Sequence, residues 1–307
     1  MKIIFFGTPL ESKKVLENIS EKHDIVAVVS KKQPTDTRRR TFEKSEIFKF
    51  CEQKNILFLD PQKLNIEFEK TVKNLKPDIS VVCAYGKILN KTIIETPKYG
   101  TINIHPSMLP MFRGPSPIQA TILNKNISTG FTIIQMSEGI DSGDILFQSK
   151  KIKLTRNETY NNLLEHLFFE SSKVINKVIS DIENNKIIPI PQNHQKATFT
   201  KLILKKEGLI DWNFPSDLIF AKFRAFNNWP KVYSFHNNKR FIIMKLEKTE
   251  LPSNSPGRIQ NINGQIMVDT GSEKINLMTI QFEGKKPVNA TAYFNNFDLS
   301  KIMLKTC

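Results

Sequence analysis

The chain has 307 residues, of which 39% are hydrophobic and 24% are charged. These proportions are those of a globular protein with room for one large domain or two ordinary ones, and they exclude a disordered chain as the default interpretation. The net charge of +15 favours a polyanionic partner, because clustered lysine and arginine release counterions when they bind phosphates. A lysine-rich surface without such a partner is the alternative.

The cysteines indicate whether the protein has disulfides or a metal site, and the apolar runs indicate whether it is exported or inserted into a membrane. Cys51, Cys83 and Cys307 show neither CxxC spacing nor a nearby histidine cluster, so we predict no disulfide framework and no metal site. The opening MKIIFFGTP is too short for a signal-peptide core, and no later stretch approaches the roughly 18 apolar residues of a membrane span. We therefore expect a cytoplasmic protein with no membrane segment. Since nothing in the sequence demands an oligomer, we also expect a monomer.

Short apolar runs alternate with amphipathic stretches of helical length from residue 1 to about 189. Strands that are apolar on both faces and separated by helices form largely parallel sheets covered on both sides. This part is therefore predicted to be a doubly wound α/β domain of the Rossmann-like type. In chain order, the predicted elements are the strand KIIFF, a helix from Leu10 to Ile19, the strand DIVAVVS, a helix from Ser45 to Gln53, the strands DISVVCAY and TINIH, a helix from Ser116 to Leu123, the strand GFTIIQM and a helix from Glu158 to Glu183.

The pattern changes in the last third of the chain. Residues 190–205 carry proline and polar residues without a regular period, which predicts a linker. Residues 206–307 combine a helix at Ser216–Ala225 with short strands and turns. Asn263-Gly264 predicts a tight hairpin, because both central positions of a type I′ turn need positive φ. We predict a small antiparallel β-barrel that is OB-like, with a β-sandwich that has no nucleic-acid role as the alternative.

The strand TINIH carries the first candidate site residues. Asn103 and His105 are two positions apart, so their side chains point to the same face of the sheet. Pro106 ends the strand immediately afterwards, which puts the pair at the carboxyl edge, where open α/β folds bind ligands. A purely structural histidine at a strand end remains an open alternative.

A candidate carboxylate follows the strand GFTIIQM, in the segment EGIDSGDIL. Glycines on both sides of Asp141-Ser142 allow the tight backbone path that brings a carboxylate back over a strand edge. We therefore interpret Asp141 as the candidate partner of His105. A turn or helix cap is the alternative role for Asp141, and Asp144 competes for the same position.

These motifs resemble a known family. NIHPSMLPMFRGPSPIQ followed by IDSGDIL is similar to the signature of the folate-dependent formyltransferases, and MKIIFFGTP and AYGKIL match in order and spacing. IDW and RAFNNWP, further along the chain, resemble motifs of the methionyl-tRNA formyltransferases. The resemblance implies transfer of a formyl group from 10-formyltetrahydrofolate to the amine of methionyl initiator tRNA, without a metal. It also implies that Asn103, His105 and Asp141 are catalytic.

The resemblance further implies a folate site made of one turn and one apolar slot. Met108 stands where the family usually has leucine, a change that conserves volume. Arg113 would either bind an anionic group of a substrate or remain a solvated loop arginine. The implied folate-binding residues are Ser107, Met108, Leu109 and Pro110 in the turn, and Ile88 and Leu89 in the slot.

A basic stretch at about residues 31–45 resembles the loop that methionyl-tRNA formyltransferases insert to bind the tRNA acceptor end. Arg38, Arg39 and Arg40 are predicted to contact phosphates and base edges there, although the sequence lacks the commoner Gly-Arg-Gly-type centre. A solvated linker is the alternative. Residues 1–189 would then be the catalytic domain, and residues 206–307 would track the tRNA backbone with lysine and arginine.

Other functions share some of these features. The same Asn-His-Asp core occurs in formyltransferases that act on a sugar nucleotide or on glycinamide ribonucleotide. It also occurs in formyltetrahydrofolate hydrolase. The segment GTPLES has a proline where the glycinamide enzyme needs a phosphate-binding turn rich in glycine and serine. A basic nucleic-acid-binding protein with a relict enzyme domain is an alternative of another class. The intact trio argues against that alternative, because folding does not demand all three residues.

Overall fold

A computed structural model of the chain describes residues 1–31 and 44–304. The chain forms two compact units. None of the helices in the described ranges combines the length and the apolar character that a membrane span requires. The first unit consists of Met1–Pro117, Ser128–Lys153 and Asn162–Lys201, and the second consists of Ile118–Ile127, Leu154–Asn161 and Leu202–Cys307.

Strands and helices alternate along the chain as far as residue 183. The elements predicted for this part are present, whereas the helices Ile66–Asn74 and Lys91–Glu95 and the short edge strands were not predicted. The strands are β1 (Lys2–Gly7), β2 (Asp24–Val29), β3 (Phe58–Leu59), β4 (Ile79–Cys83), β5 (Thr101–His105), β6 (Ser128–Thr129), β7 (Thr132–Gln135), β8 (Ile145–Gln148) and β9 (Ile152–Lys153). The helices are α1 (Lys13–Ser20), which a 3₁₀ turn precedes, α2 (Glu46–Lys54), α3 (Ile66–Asn74), α4 (Lys91–Glu95), α5 (Pro117–Leu123) and α6 (Tyr160–Glu183).

The main sheet has the order β3-β2-β1-β4-β5-β7-β8. Pairing is parallel from β3 to β5 and antiparallel at β7 and β8, so the predicted doubly wound, largely parallel sheet is confirmed. β1 carries the apolar run Ile3, Ile4, Phe5 and Phe6, all of which are 0% exposed. Helices cover both faces of such a sheet, which explains the runs without alternation.

The carboxyl ends of β1, β4 and β5 lie side by side in this sheet. Gly7 pairs with Cys83, and Val82 pairs with Asn103. Thr8, which follows β1, donates its hydroxyl to the backbone carbonyl of Tyr85 over 3.2 Å. The order of the strands therefore brings the residues that follow β1 and β4 next to the end of β5.

The second unit contains an antiparallel sheet with the order β10-β11-β14-β13-β12, and β15 pairs with β14. Asn263 and Gly264 have φ of 52° and 79° and join β12 to β13, which confirms the predicted hairpin. This sheet agrees with the predicted antiparallel, barrel-like domain. The elements are α7 (Ser216–Ala225), β10 (Tyr233–His236), β11 (Lys239–Pro252), β12 (Ile259–Ile262), β13 (Gln265–Val268), β14 (Glu273–Phe282), β15 (Val288–Asn289) and α8 (Ala290–Phe294).

Candidate active site

Asn103 and His105 lie at the carboxyl end of β5, on one face of the sheet. In the antiparallel pairing with β7, Asn103 is opposite Ile134 and His105 is opposite Thr132. The side chain of His105 is only 4% exposed, and Asn103 is half-buried. Because β5 is held between β4 and β7, both side chains project from a fixed backbone.

Asp141 lies in the loop between β7 and β8, with its carboxylate over this strand end. Asn103 donates from Nδ2 to Oδ1 of Asp141 over 3.3 Å. His105 Nδ1 is 3.5 Å from Oδ2, and the backbone N–H of Gly114 donates to the same oxygen over 2.7 Å. The structure therefore brings the three predicted residues together around one carboxylate that is 18% exposed.

The hydrogen bonds of His105 define its tautomer. Nε2 lies 2.9 Å from the backbone carbonyl oxygen of Phe112. A carbonyl oxygen can only accept, so Nε2 carries the proton. In the neutral ring Nδ1 is then the free base, and it is the nitrogen that faces Asp141. The 3.5 Å separation from Asp141 is longer than a direct hydrogen bond and leaves the interaction mainly electrostatic.

Asp144, the competing carboxylate, has a different environment. Its side chain is exposed, and its backbone carbonyl accepts a hydrogen bond from the N–H of Gln135 over 2.9 Å. Asp141 has the ion-pair contact with His105, and it is also bonded to Asn103. The geometry therefore favours Asp141 over Asp144.

The segment from Phe112 to Gly114 holds both His105 and Asp141. It runs beside residues 198–200, since the N–H of Arg113 donates to the carbonyl of Thr198 over 2.8 Å. Gly114 has φ of 104°, and a Cβ at this position would lie 2.9 Å from the carbonyl oxygen of Thr200. A side chain would therefore force the backbone donor away from Asp141.

Arg113 is buried, which contradicts one of the two roles that the sequence suggests for it. Its guanidinium is buried, with the residue 3% exposed, and Nε and Nη2 donate to Oε1 of Gln192 over 3.0 and 2.7 Å. Burial lowers the pKa of Arg113, while the nearby carboxylate of Asp141 raises it. The interpretation as a solvated loop arginine is therefore wrong, because the side chain is buried. Binding of an anionic substrate group by Arg113 stays a prediction, since the hydrogen bonds to Gln192 use only some of its five N–H donors.

The turn implied in folate binding is fixed by a strand residue that the sequence analysis missed. The hydroxyl of Thr132 donates to the carbonyl of Ser107 over 2.7 Å and accepts from the N–H of Leu109 over 3.1 Å. Gln148 donates to the carbonyl of Leu109 over 2.8 Å. Ser107 and Leu109 are buried, while Met108 and Pro110 are partly exposed. A threonine in an apolar strand gave no signal of this role by itself.

The two residues of the implied apolar slot have opposite environments. Ile88 is 94% exposed, whereas Leu89 is 5% exposed and belongs to the core cluster that includes Phe6 and Tyr85. Among the described residues, no hydrogen-bond partner contacts the buried hydroxyl of Tyr85, and burial together with Asp60 raises the pKa of Tyr85 to about 12. Of the pair, Ile88 therefore has its side chain free to meet a ligand.

Two further expectations concern residues and groups beyond this cluster. Arg38, Arg39 and Arg40 lie outside the described residues. Within residues 1–31 and 44–304, no group of three or more His, Cys, Asp or Glu side chains is arranged to hold a metal ion.

The fold and this cluster define the class of the protein. The family model described as formyl transferase matches residues 1–179, and the model of the formyl transferase C-terminal domain matches residues 202–298. The methionyl-tRNA formyltransferase of Clostridium acetobutylicum is 34% identical over 99% of both chains. That of Sulfurihydrogenibium sp. is 35% identical over 94% of both chains. The chain belongs to the methionyl-tRNA formyltransferase family.

Solved structures with lower identity share the fold. WlaRD, a sugar 3N-formyl transferase solved with dTDP and 5-N-formyl-THF, aligns with 93% of this chain and 99% of its own at 20% identity, with a TM-score of 0.66. HypX from Aquifex aeolicus, in complex with tetrahydrofolic acid, aligns with 95% of this chain and 46% of its own at 14% identity, with a TM-score of 0.63. Both proteins were solved with a folate and share the fold of this chain.

Proposed function

We propose that the protein transfers the formyl group of 10-formyltetrahydrofolate to the free amine of methionyl initiator tRNA. The observation that carries the proposal is the cluster at the end of β5, where the carboxylate of Asp141 lies within 3.3 Å of Asn103 and 3.5 Å of His105. The names of the full-length relatives supply the acceptor, since they are methionyl-tRNA formyltransferases.

The reaction needs a base, an oxyanion donor and a proton route. The amine attacks the formyl carbon, a carbon–nitrogen bond forms, and negative charge develops on the formyl oxygen. Asn103 supplies an amide N–H to that oxygen, and Nδ1 of His105 takes the proton from the attacking amine. The charge of Asp141 stabilises the resulting imidazolium. The bond to the folate nitrogen then breaks, and the same proton passes to that nitrogen, so the atoms and charges balance.

The donor would lie beside the turn Ser107, Met108, Leu109 and Pro110 and against Ile88. Thr132 and Gln148 hold the backbone of this turn in a fixed arrangement, which suits a largely pre-formed ligand site. The folates with which WlaRD and HypX were solved support a folate as donor. We propose the 10-formyl form as the donor, because its formyl group is carried on an arylamine nitrogen, which leaves more readily than N5.

The acceptor would be held by two basic regions. Arg38, Arg39 and Arg40 are proposed to contact the acceptor end, and residues 206–307 to follow the phosphate backbone, with residues 190–205 as the connection between the two domains. Lysine and arginine contacts to phosphate give affinity without sequence information, so they leave the choice of amine to the site at His105. The net charge of +15 supports this division of roles.

The test is a formylation assay with two acceptors. The protein is incubated with 10-formyltetrahydrofolate and either methionyl initiator tRNA or a dTDP-linked amino sugar, and the products are separated after mild base hydrolysis. We expect formyl-methionine from the tRNA and no formyl sugar. Formylation of the sugar instead would identify a sugar-nucleotide enzyme, and release of formate without an acceptor would identify a hydrolase.

Two further properties follow from the proposed substrates. Aminoacyl-tRNA is made and used in the cytoplasm, so we propose that the protein works there. We also propose that it works as a monomer, since one chain supplies all three residues around Asp141. Light scattering coupled to size exclusion gives the mass in solution, and a mass of twice 35.4 kDa would contradict the monomer.

A further inference from the structure

Gln192 is buried next to the candidate active site, although it lies in the segment that the sequence predicts as a linker. It is 5% exposed. Its Nε2 donates to the carbonyl oxygen of Asp141 over 2.9 Å and to that of Gly143 over 2.6 Å. Its Oε1 accepts the two hydrogen bonds from Arg113. One amide therefore joins the backbone of the Asp141 loop to the segment that holds His105.

The direction of this amide is fixed by the chemistry of its partners. Arginine has donors and no acceptor, and carbonyl oxygens accept and cannot donate. Rotation of the amide by 180° would set Nε2 against Arg113 and Oε1 against the two carbonyls, so all four hydrogen bonds would be lost. Arg113 therefore orients Gln192, and Gln192 in turn points both of its hydrogens at the loop.

The loop needs this support because its backbone is strained. Asp141 has φ of 44°, a left-handed conformation that residues other than glycine adopt only rarely. Gly143 has no room on its other side, since a Cβ there would lie 1.7 Å from the carbonyl oxygen of Gln135. The loop is thus confined by Gln135 on one side and bonded to Gln192 on the other.

Arg113 also lies between two backbone groups that contact the site, the carbonyl of Phe112 and the N–H of Gly114. Phe112 accepts the hydrogen bond of His105 through its carbonyl, and Gly114 donates to the carboxylate of Asp141, so Arg113 lies between these groups in the chain. Its Nη2 lies 3.1 Å from Nδ1 of His194, which must be the acceptor. Displacement of the Arg113 side chain would therefore disturb both the carbonyl that binds His105 and the N–H that binds Asp141.

We propose that Gln192 is a positioning residue for formyl transfer: its amide, oriented by Arg113, holds the Asp141 loop so that the carboxylate stays over Asn103 and His105. The proposal rests on the proposed function. Gln192 acts through the backbone of Asp141 and Gly143 and has no contact with His105 or Asn103 among the hydrogen bonds of the described residues. Misplacement of a catalytic group by about 1 Å can cost about 100-fold in rate, so kcat should report its loss.

The test compares two substitutions of Gln192 with a control in the formylation assay. Gln192→Glu keeps the length of the side chain and the two acceptor positions for Arg113, but the carboxylate has no hydrogen for the carbonyls of the loop. Gln192→Ala removes all four bonds. We expect kcat to fall by about 10-fold to 100-fold in both, with KM for both substrates within about threefold. The control Asn176→Ala removes a comparable bond, from Nδ2 to the carbonyl of Asn18 over 2.6 Å, and should retain wild-type kcat.

A double-mutant cycle separates positioning from general stability. If Gln192 acts through Asp141, then adding Gln192→Ala to Asp141→Asn should lower kcat by less than about twofold, because the carboxylate is already gone. Losses that multiply in the double variant, or wild-type kcat in Gln192→Glu, would overturn the proposal. A wild-type protein that forms no formyl-methionyl-tRNA would instead overturn the proposed function.

Discussion

The side chain of Asp141 lies 3.5 Å from the ring of His105, and the backbone of Gly114 donates to the same carboxylate oxygen over 2.7 Å. The carboxylate is therefore held on one side by a fixed N–H while its charge faces Nδ1 of the histidine. An imidazolium formed during the proposed proton transfer would lie beside this negative charge, which would stabilise it. We therefore expect the activity to depend on both partners.

Replacement of His105 or Asn103 should abolish most of the activity. His105→Ala removes the base at Nδ1, and Asn103→Ala removes the amide donor, so each should lower kcat by about 100-fold or more. His166, an exposed histidine on α6, provides the matched control. Steady-state formylation of methionyl-tRNA measures the effect, and circular dichroism checks the fold. Activity within a few-fold of the control in His105→Ala would exclude this ring from the chemistry.

The two candidate carboxylates can be distinguished by paired substitutions. Asp141→Asn tolerates the left-handed backbone and keeps an oxygen for the N–H of Gly114, but it removes the charge beside His105. We expect kcat to fall by about 100-fold. Asp144→Asn alters an exposed side chain and should leave kcat unchanged. Equal losses in the two variants would mean that the charge of Asp141 has no special role.

The three arginines of the basic loop should determine part of the salt dependence of tRNA binding. Each phosphate contact contributes about one unit to the slope of log K against log salt, so changing Arg38, Arg39 and Arg40 to glutamine should lower that slope by about 2 to 3 units. Filter binding of tRNA across a series of salt concentrations measures this slope.

The control for this loop removes the same charge elsewhere. Lys54, Lys70 and Lys73 are exposed on or near α2 and α3, and their joint change to glutamine also lowers the net charge by three. We expect a smaller change of slope in this control. An equal change would show that the loop contributes through net charge and makes no specific contacts.

A buried ion pair should dominate the stability of the second unit. Lys274 is paired with Asp269, and their side chains are 6% and 0% exposed. Lys274→Met leaves the buried carboxylate without its counterion, which should lower the free energy of unfolding by about 3 to 5 kcal/mol. In the exposed pair Lys301–Asp298, at 3.2 Å, Lys301→Met should cost less than about 1 kcal/mol. Urea titration measures both, and equal losses would argue against burial as the cause.

His236 should make the folded state less stable in mild acid. Its ring lies 3.0 Å from the hydroxyl of Tyr293 and among Phe294 and Phe297, and burial lowers the pKa of His236 below its ordinary 6.5. As the pH falls below 6.5, the unfolded chain therefore takes up a proton that the folded chain does not, and stability decreases until the pH reaches the folded pKa.

The measurement for this histidine is a series of urea titrations between about pH 7.5 and about pH 5. His236→Gln removes the titrating ring, so the decrease of stability in this range should become smaller than in the wild type. His166→Gln, in which an exposed ring is replaced, should keep the wild-type slope. A slope in His236→Gln as steep as in the wild type would assign the pH dependence to other groups.

Local sequence patterns determined the class of the fold and one strand of the site. Apolar runs on β1 and β4 predict buried parallel strands, and the spacing of Asn103 and His105 puts both on one face, because side chains alternate along any strand. The Asn263-Gly264 turn was also predictable, because the positive φ angles of this turn type depend on the two residues themselves. The helix α4 has only five residues, which are too few to establish a helical period, whereas α3 has nine residues, as many as the predicted α2, and was missed without such a reason.

The tertiary structure decided which residues meet at the end of β5. The sequence favours Asp141 and leaves Asp144 as the competitor, and the path of the loop between β7 and β8 sets which carboxylate reaches His105. Arg113 reads as a loop arginine and Gln192 as part of a linker, yet both are buried and bonded to each other. Hydrogen bonds between residues far apart in the chain depend on how distant segments pack, and no local period or propensity encodes that packing.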